Sequence, residues 1–205
     1  MAMAGRLVSL AWTLPDHLRT ALWGTLGHRL HPGSRRVVQA VVLSSAGVLL
    51  CVRRELHGWE LPGGHPAPGE SEPDALAREV CEETGVRVVV EALVGEYRRS
   101  GFLPHVARVY RCHPAPDGPV RCGARTDRAA PAPPPLRASA ETPRVAWWDP
   151  ADLPATLLPW YRRPLEDGLR PAAQPVLRQE HQGLREIWAG LRIDLRMRLS
   201  DDRAR

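Results

Sequence analysis

The residues Gly63–Val86, which read GGHPAPGESEPDALAREVCEETGV, contain a loop followed by a strongly signalled helix. The glycine- and proline-rich loop ends at Glu70. Ser71 follows as a good N-cap, because its hydroxyl can accept a hydrogen bond from an unpaired amide of the first turn. Gly85 supplies a left-handed stop. The pattern predicts a helix over about residues 72–84.

Three carboxylates share one face of this predicted helix. At roughly 100° per residue, Glu79, Glu82 and Glu83 lie one turn apart. Like charges at this spacing destabilise a helix, so the cluster is best explained by a divalent cation between the carboxylates. Oxygen ligands suit Mg²⁺ or Mn²⁺, which bind a few carboxylates while bridging substrate phosphates. Arg78 lies beside Glu79, where it can orient a carboxylate or contact a phosphate.

The same residues form a complete family motif. Gly64, Glu70 and the run REVCEETGV at 78–86 resemble the Nudix box at every position. The preceding WELPGG at 59–64 is similar to the usual approach to that box. The resemblance extends from about 37 to 152 and identifies the chain as a member of the Nudix superfamily.

The resemblance implies an activity, a cofactor and a set of site residues. The activity is Mg²⁺- or Mn²⁺-dependent hydrolysis of the diphosphate linkage in a nucleoside diphosphate joined to another moiety, such as a nucleoside triphosphate, ADP-ribose or an NDP-sugar. Glu79 is the first candidate for the general base. Glu70 either binds metal or holds Arg78, and Gly64 supports the site. The implied metal ligands are the Gly63 carbonyl, Glu79, Glu82 and Glu83.

Glu141 is the second candidate base or metal ligand. It stands six residues before Trp147 in the run ETPRVAWW. Family members that cleave oxidised nucleoside triphosphates have a loop glutamate just ahead of an equivalent tryptophan. A solvated loop acid is the alternative interpretation.

Four further residues are weaker candidates for substrate binding. Arg53 and Arg54 end a predicted strand that delivers side chains toward the substrate in this family, so either could contact a phosphate. Solvation of a strand end explains them equally well. Trp160 and Tyr161 could stack on a base, although core packing is the simpler interpretation.

Apolar β-rich runs around the single catalytic helix predict an α/β fold, the α/β/α sandwich with a mixed sheet. We expect an N-terminal helical extension at 1–33, a Nudix domain at 34–170 and a C-terminal helix within 171–205. Residues 114–138 carry seven prolines and predict a flexible insertion, with a lid over the substrate as the alternative. The amphipathic stripe over 176–199 predicts one long helix. This helix either docks on the domain or pairs with a second copy, which leaves a homodimer through the terminal helices open.

The composition of the chain further restricts the class of protein to which it can belong. The chain of 205 residues is 43% hydrophobic, enough for one domain with a core. It has no apolar run of membrane-spanning length and no signal-peptide pattern. The net charge of +5 favours polyanionic partners. Small substrates are favoured over nucleic acid, because the arginines are scattered and no nucleic-acid motif accompanies them. Four cysteines without CxxC or zinc spacing predict reduced thiols in a cytoplasmic protein.

Two alternatives from other classes remain. A non-hydrolytic Nudix-like module could bind a nucleotide in a regulatory role, although such a module has no need of the full acidic set. A diphosphate isomerase on the same fold would need a catalytic Cys–Glu pair, and no such pair can be placed in this sequence.

Overall fold

The computed structural model describes residues 36–53, 57–101, 104–116, 135–170 and 173–201. The predicted N-terminal extension and most of the proline-rich insertion lie outside these residues. Within the described ranges, no helix is both long and apolar enough to cross a membrane.

Eleven elements make up the described chain. The strands are β1 (Arg36–Ser44), β2 (Gly47–Val52), β3 (Trp59–Glu60), β4 (Gly63–Gly64), β5 (Val88–Gly101), β6 (His105–Pro114), β7 (Arg144–Trp148) and β8 (Val176–Gln182). The helices are α1 (Glu72–Thr84), α2 (Pro159–Leu169) and α3 (Leu184–Asp201).

The strands form one mixed sheet, as predicted. Its order is β3-β2-β1-β6-β5-β8, with β4 pairing with β1 and β7 with β2. The pairs β1–β6 and β5–β8 are parallel, and β1–β2, β1–β4 and β5–β6 are antiparallel. The antiparallel β1–β4 pair aligns Gln39 with Gly63 and thereby brings the start of the glycine loop to the middle of the sheet.

Alternation along β1 divides the core between the two faces of the sheet. Val38, Ala40 and Val42 pack with α1 on one face, in a cluster that includes Leu76 and Val80. On the opposite face, Val41 packs in a second cluster with residues of α2 and α3. Because successive strand side chains point to opposite faces, the sheet lies between helices on both sides. The α/β/α sandwich is therefore confirmed.

The helix that carries the acids forms where the sequence predicts it. The Ser71 hydroxyl accepts a hydrogen bond from the Asp74 amide at 3.3 Å. At the other end Gly85 has φ 74°, and its amide donates to the Cys81 carbonyl. The helix is thus delimited by local hydrogen bonds at both ends, which holds its acidic face in a defined position.

The prediction of one helix over 176–199 is wrong for its first third. Val176–Gln182 is a strand that pairs in parallel with Gly95–Gly101 of β5, and the helix begins only at Leu184. The open edge of β5 supplies backbone partners that outweigh the weak local preference. Gly183, a poor helix former between the two elements, marks the break.

The described cysteines are not all the reduced thiols that the sequence predicts. Cys51 and Cys112 are buried free thiols. Burial, with nearby Glu91 adding to it, raises the pKa of Cys112 to about 12, so this thiol stays protonated. Cys81 is disulfide-bonded, so the expectation of four reduced thiols is wrong for that residue.

Candidate active site

Arg78 joins three of the predicted acidic residues. Its Nε and Nη2 donate to the two carboxylate oxygens of Glu70, each at 2.9 Å. Its Nη1 donates to Glu79 at 3.0 Å and to Glu82 at 3.3 Å. The hydrogen bonds from Arg78, helped by the Ala67 amide, lower the pKa of Glu70 to about 2. Glu70 is thus bound to Arg78, while its binding to a metal stays a prediction.

The two glycines ahead of the helix leave space that a side chain would fill. Gly63 has φ 151°, and a Cβ there would collide with the Val38 carbonyl of β1. A Cβ on Gly64 would collide with the carboxylate of Glu79. The loop backbone can therefore lie against β1 on one side and the acidic helix face on the other.

Glu83 is the buried member of the acidic set, at 6% exposure. One of its oxygens accepts from the Gly63 amide at 2.9 Å, and the other accepts from Arg53 at 3.1 Å. Burial raises the pKa of Glu83 to about 7, although the Arg53 charge and the Gly63 amide oppose that rise. Glu83 is thus linked directly to the loop residue whose carbonyl is predicted to bind metal.

Arg53, a weak candidate for phosphate binding, contacts three groups of the site. Its Nη2 donates to the Gly63 carbonyl at 2.8 Å as well as to Glu83, and its Nε donates to Glu60 at 2.6 Å. These contacts show that Arg53 lies at the site. Its contact with a phosphate stays a prediction. Its neighbour Arg54 lies outside the described residues.

Glu60 was missed by the sequence analysis. It is 4% exposed and accepts from Arg53 and from the Tyr161 hydroxyl, the latter at 2.9 Å. A carboxylate between the apolar residues Trp59 and Leu61 was the available signal, since a buried charge requires partners. Glu60 connects α2 to the acidic site through Tyr161.

The aromatic pair of α2 packs against other parts of the protein. Tyr161 is 8% exposed within the core and its hydroxyl donates to Glu60. Trp160 is half-buried, and its ring packs near Gly190 of α3. The core-packing interpretation is therefore the one that the structure favours for both rings.

The loop of Glu141 is tied to the C-terminal end of α1. Thr142 is fully buried, and its hydroxyl donates to the Glu83 carbonyl. The Arg137 amide donates to the Thr84 carbonyl at 2.8 Å. Glu141 itself is exposed, and its amide donates to Ser139. Thr142 had no sequence signal, because only the fold brings it to Glu83.

The predicted metal ligands are of residue types that suit a hard divalent cation, but their side chains are not arranged around one position. Among the residues that the structure describes, no group of three or more His, Cys, Asp or Glu side chains is arranged to hold a metal ion. The predicted donors are nonetheless all oxygens, which suits Mg²⁺ or Mn²⁺. The carboxylate of Glu79, one of these predicted donors, lies in the space beside Gly64 that a Cβ on that glycine would fill.

Comparison with known proteins agrees with the observed fold. The NUDIX domain family model matches residues 33–168. A MutT-like protein of Streptomyces ambofaciens is 36% identical over 154 residues, which cover 75% of this chain and 87% of the relative. A putative 8-oxo-dGTP diphosphatase of Bacillus subtilis is 31% identical over 127 residues, covering 62% and 74%. A NUDIX hydrolase structure from Nitrosomonas europaea superimposes with a TM-score of 0.57 at 20% identity, covering 74% of this chain and 81% of that one.

The chain therefore belongs to the Nudix family. Its enzyme class follows from that membership: it is a hydrolase of the Nudix pyrophosphohydrolase type. Nudix hydrolases generally require divalent metal ions and act on small-molecule diphosphates.

Proposed function

We propose that this protein is an Mg²⁺- or Mn²⁺-dependent hydrolase that cleaves the diphosphate linkage of a nucleoside diphosphate joined to another moiety. The observation that carries the proposal is the arrangement around Arg78, which holds Glu70, Glu79 and Glu82 together beside the glycine loop. A solvated helix face would not need an arginine shared by three carboxylates. The relatives named MutT-like and 8-oxo-dGTP diphosphatase favour nucleoside triphosphates as the first substrates to test.

The metal would be held by the Gly63 carbonyl with Glu79, Glu82 and Glu83. When bound, it supplies positive charge for the phosphoryl oxygens and makes water more acidic. The glycines keep the loop backbone close enough for a carbonyl to serve beside the carboxylates. Arg78 keeps Glu79 and Glu82 oriented, and Glu70 fixes Arg78.

The proposed reaction is attack of water on one phosphorus of the diphosphate bridge. A carboxylate accepts the proton of the water as the new P–O bond forms and the bridging P–O bond breaks. The departing phosphate keeps the electron pair of the broken bond. Glu79 is the first candidate for the proton acceptor, and Glu141 is the second.

A non-hydrolytic nucleotide-binding module is the second candidate function. The contact of Arg53 with both the Gly63 carbonyl and Glu83 favours it, because a cation of the protein itself occupies two predicted metal ligands. Such a module would bind a nucleotide without needing the metal that cleavage requires.

Phosphate release from a panel of diphosphates tests both candidates. The panel contains dGTP, 8-oxo-dGTP, ADP-ribose, NDP-sugars and dinucleoside polyphosphates, each with Mg²⁺, with Mn²⁺ and with EDTA. We expect metal-dependent cleavage of one class and a loss of about 10²-fold or more in kcat for Glu82→Gln. Glu166→Gln, at an exposed position on α2, is the matched control. If no compound of the panel is cleaved and one compound raises the melting temperature, the binding module is favoured.

A further inference from the structure

Arg53 makes contacts that the predicted metal would also make. Its Nη2 lies 2.8 Å from the Gly63 carbonyl oxygen and 3.1 Å from a Glu83 oxygen. These are two of the four predicted metal ligands. The other oxygen of Glu83 is bound to the Gly63 amide, so both carboxylate oxygens are engaged within the protein.

The charges around Arg53 require a cation at this position. Glu60 and Glu83 are 4% and 6% exposed, and their only common cationic contact among the described residues is the Arg53 guanidinium. Burying a carboxylate without a compensating cation is costly. Arg53 therefore compensates the buried charge of Glu83 beside the glycine loop.

A divalent ion and the guanidinium cannot both use the same oxygens in this arrangement. Mg²⁺ binds oxygen at about 2.1 Å, so an ion on the Gly63 carbonyl and Glu83 would lie against the Nη2 group, and like charges at that range repel. The Arg53 side chain is 39% exposed, which leaves it room to withdraw. Its Nε contact with Glu60, at 2.6 Å, does not involve a predicted metal ligand and can persist.

We propose that Arg53 is a place-holding cation that occupies the Gly63 carbonyl and Glu83 until a divalent metal displaces it. Arg53 is thus a positioning residue that tunes metal affinity. This proposal rests on the metal site of the proposed function. It assigns the arginine a role before substrate arrives, in addition to the phosphate contact predicted from the sequence.

Metal binding to Arg53→Gln, measured on the full chain without substrate, tests the proposal. Removing the competing cation is expected to tighten Mn²⁺ binding by about fivefold or more, measured by calorimetric titration. The melting temperature should fall in EDTA, where Glu83 loses the Arg53 charge. Added Mn²⁺ should then raise it further than in the native protein, because a tighter ligand stabilises more.

Arg178→Gln is the matched control. Arg178 forms a two-bond ion pair with Asp167, at 2.6 Å for each bond, and is 37% exposed, close to the exposure of Arg53. This variant should lose the same stability in EDTA and in Mn²⁺, with unchanged Mn²⁺ affinity. If Arg53→Gln does not fold, the double variant Arg53→Gln/Glu60→Gln removes the two paired charges together. Its reference is the single variant Glu60→Gln. The double variant should bind Mn²⁺ more tightly than this reference.

The outcomes separate this proposal from the proposed function. Unchanged or weaker Mn²⁺ binding by Arg53→Gln, with native binding intact, overturns the place-holding role and leaves the hydrolase proposal standing. A lack of Mn²⁺ binding by the native protein also overturns the place-holding role, whereas the hydrolase proposal is decided by phosphate release from the diphosphate panel. Tighter binding with a larger Mn²⁺-dependent rise in melting temperature supports the competition.

Discussion

The carboxylate of Glu79 occupies the space in which a side chain on Gly64 would begin. The backbone of Gly64 is not in the left-handed region, so an added methyl acts by displacing Glu79. Since displacing a catalytic group by about 1 Å can cost 10²-fold in rate, we expect Gly64→Ala to lower kcat by about that factor. Steady-state kinetics beside a thermal melt would measure this effect.

Gly183→Ala is the control for that change. The atoms nearest its added Cβ lie at 3.5 Å or more, an ordinary contact distance. We expect kcat to remain native in this variant. Native kcat in Gly64→Ala as well would show that the position of Glu79 does not govern the reaction.

The identity of the base can be tested by pairing Glu79→Gln with Glu141→Gln. Glu79 is held by Arg78 at the centre of the acidic set, whereas Glu141 is exposed on a neighbouring loop. Loss of a general base costs about 10²–10⁴-fold, so we expect Glu79→Gln to lower kcat by at least 10²-fold and Glu141→Gln by less. The pH dependence of kcat and the Mn²⁺ affinity of each variant separate loss of a base from loss of a ligand. The reverse order would move the base to the loop.

Thr142→Val tests the attachment of the Glu141 loop to the acidic helix. The change keeps the shape of the side chain and removes the hydroxyl that donates to the Glu83 carbonyl. Leaving a buried carbonyl without a partner costs about 1–3 kcal/mol, which urea unfolding would detect. Thr142→Ser retains the hydroxyl and should lose less stability. A loss in Thr142→Ser as large as the loss in Thr142→Val would contradict the assigned role of this hydrogen bond.

The contacts of Asp194, a buried residue of α3, predict how the stability of the fold depends on pH. It is 4% exposed and accepts from the His57 amide at 3.0 Å, the His57 ring and Arg198. Burial by itself raises the pKa of Asp194, but the hydrogen bonds from His57 and Arg198 outweigh it and hold the pKa well below its usual range. The carboxylate therefore stabilises the fold above the unfolded-state pKa of about 3.9, and this contribution is lost as the pH falls below that value.

Urea unfolding of Asp194→Asn at several pH values measures this contribution. We expect a loss of about 1–3 kcal/mol at pH 7, since hydrogen bonds to a charged group are removed. The difference from the native protein should narrow as the pH falls below about 4. Asp152→Asn, at an exposed turn position, is the control and should lose little stability at pH 7. A difference that is constant with pH would contradict the assigned charge.

Much of the site was predictable from the sequence because its order depends on near neighbours. The Ser71 cap, the Gly85 stop and the acidic face of α1 follow from hydrogen bonds and spacings within one helix. The resemblance to the Nudix box placed Arg78 with Glu70 for the same reason, since only eight positions separate them. The mixed sheet followed from alternating apolar runs.

Only the tertiary structure decided which residues complete the site. Tyr161 meets Glu60 across 101 positions, and Arg53 meets Glu83 across 30. The sheet edge of β5 turned the predicted start of the last helix into β8, and folding buried Tyr161 in the core beside Glu60. The sequence by itself determined the acidic helix, its caps and the family, because short-range spacing specifies them. Chain folding determined the partners of Glu83 and Glu60, because backbone pairing and burial join segments that no local pattern relates.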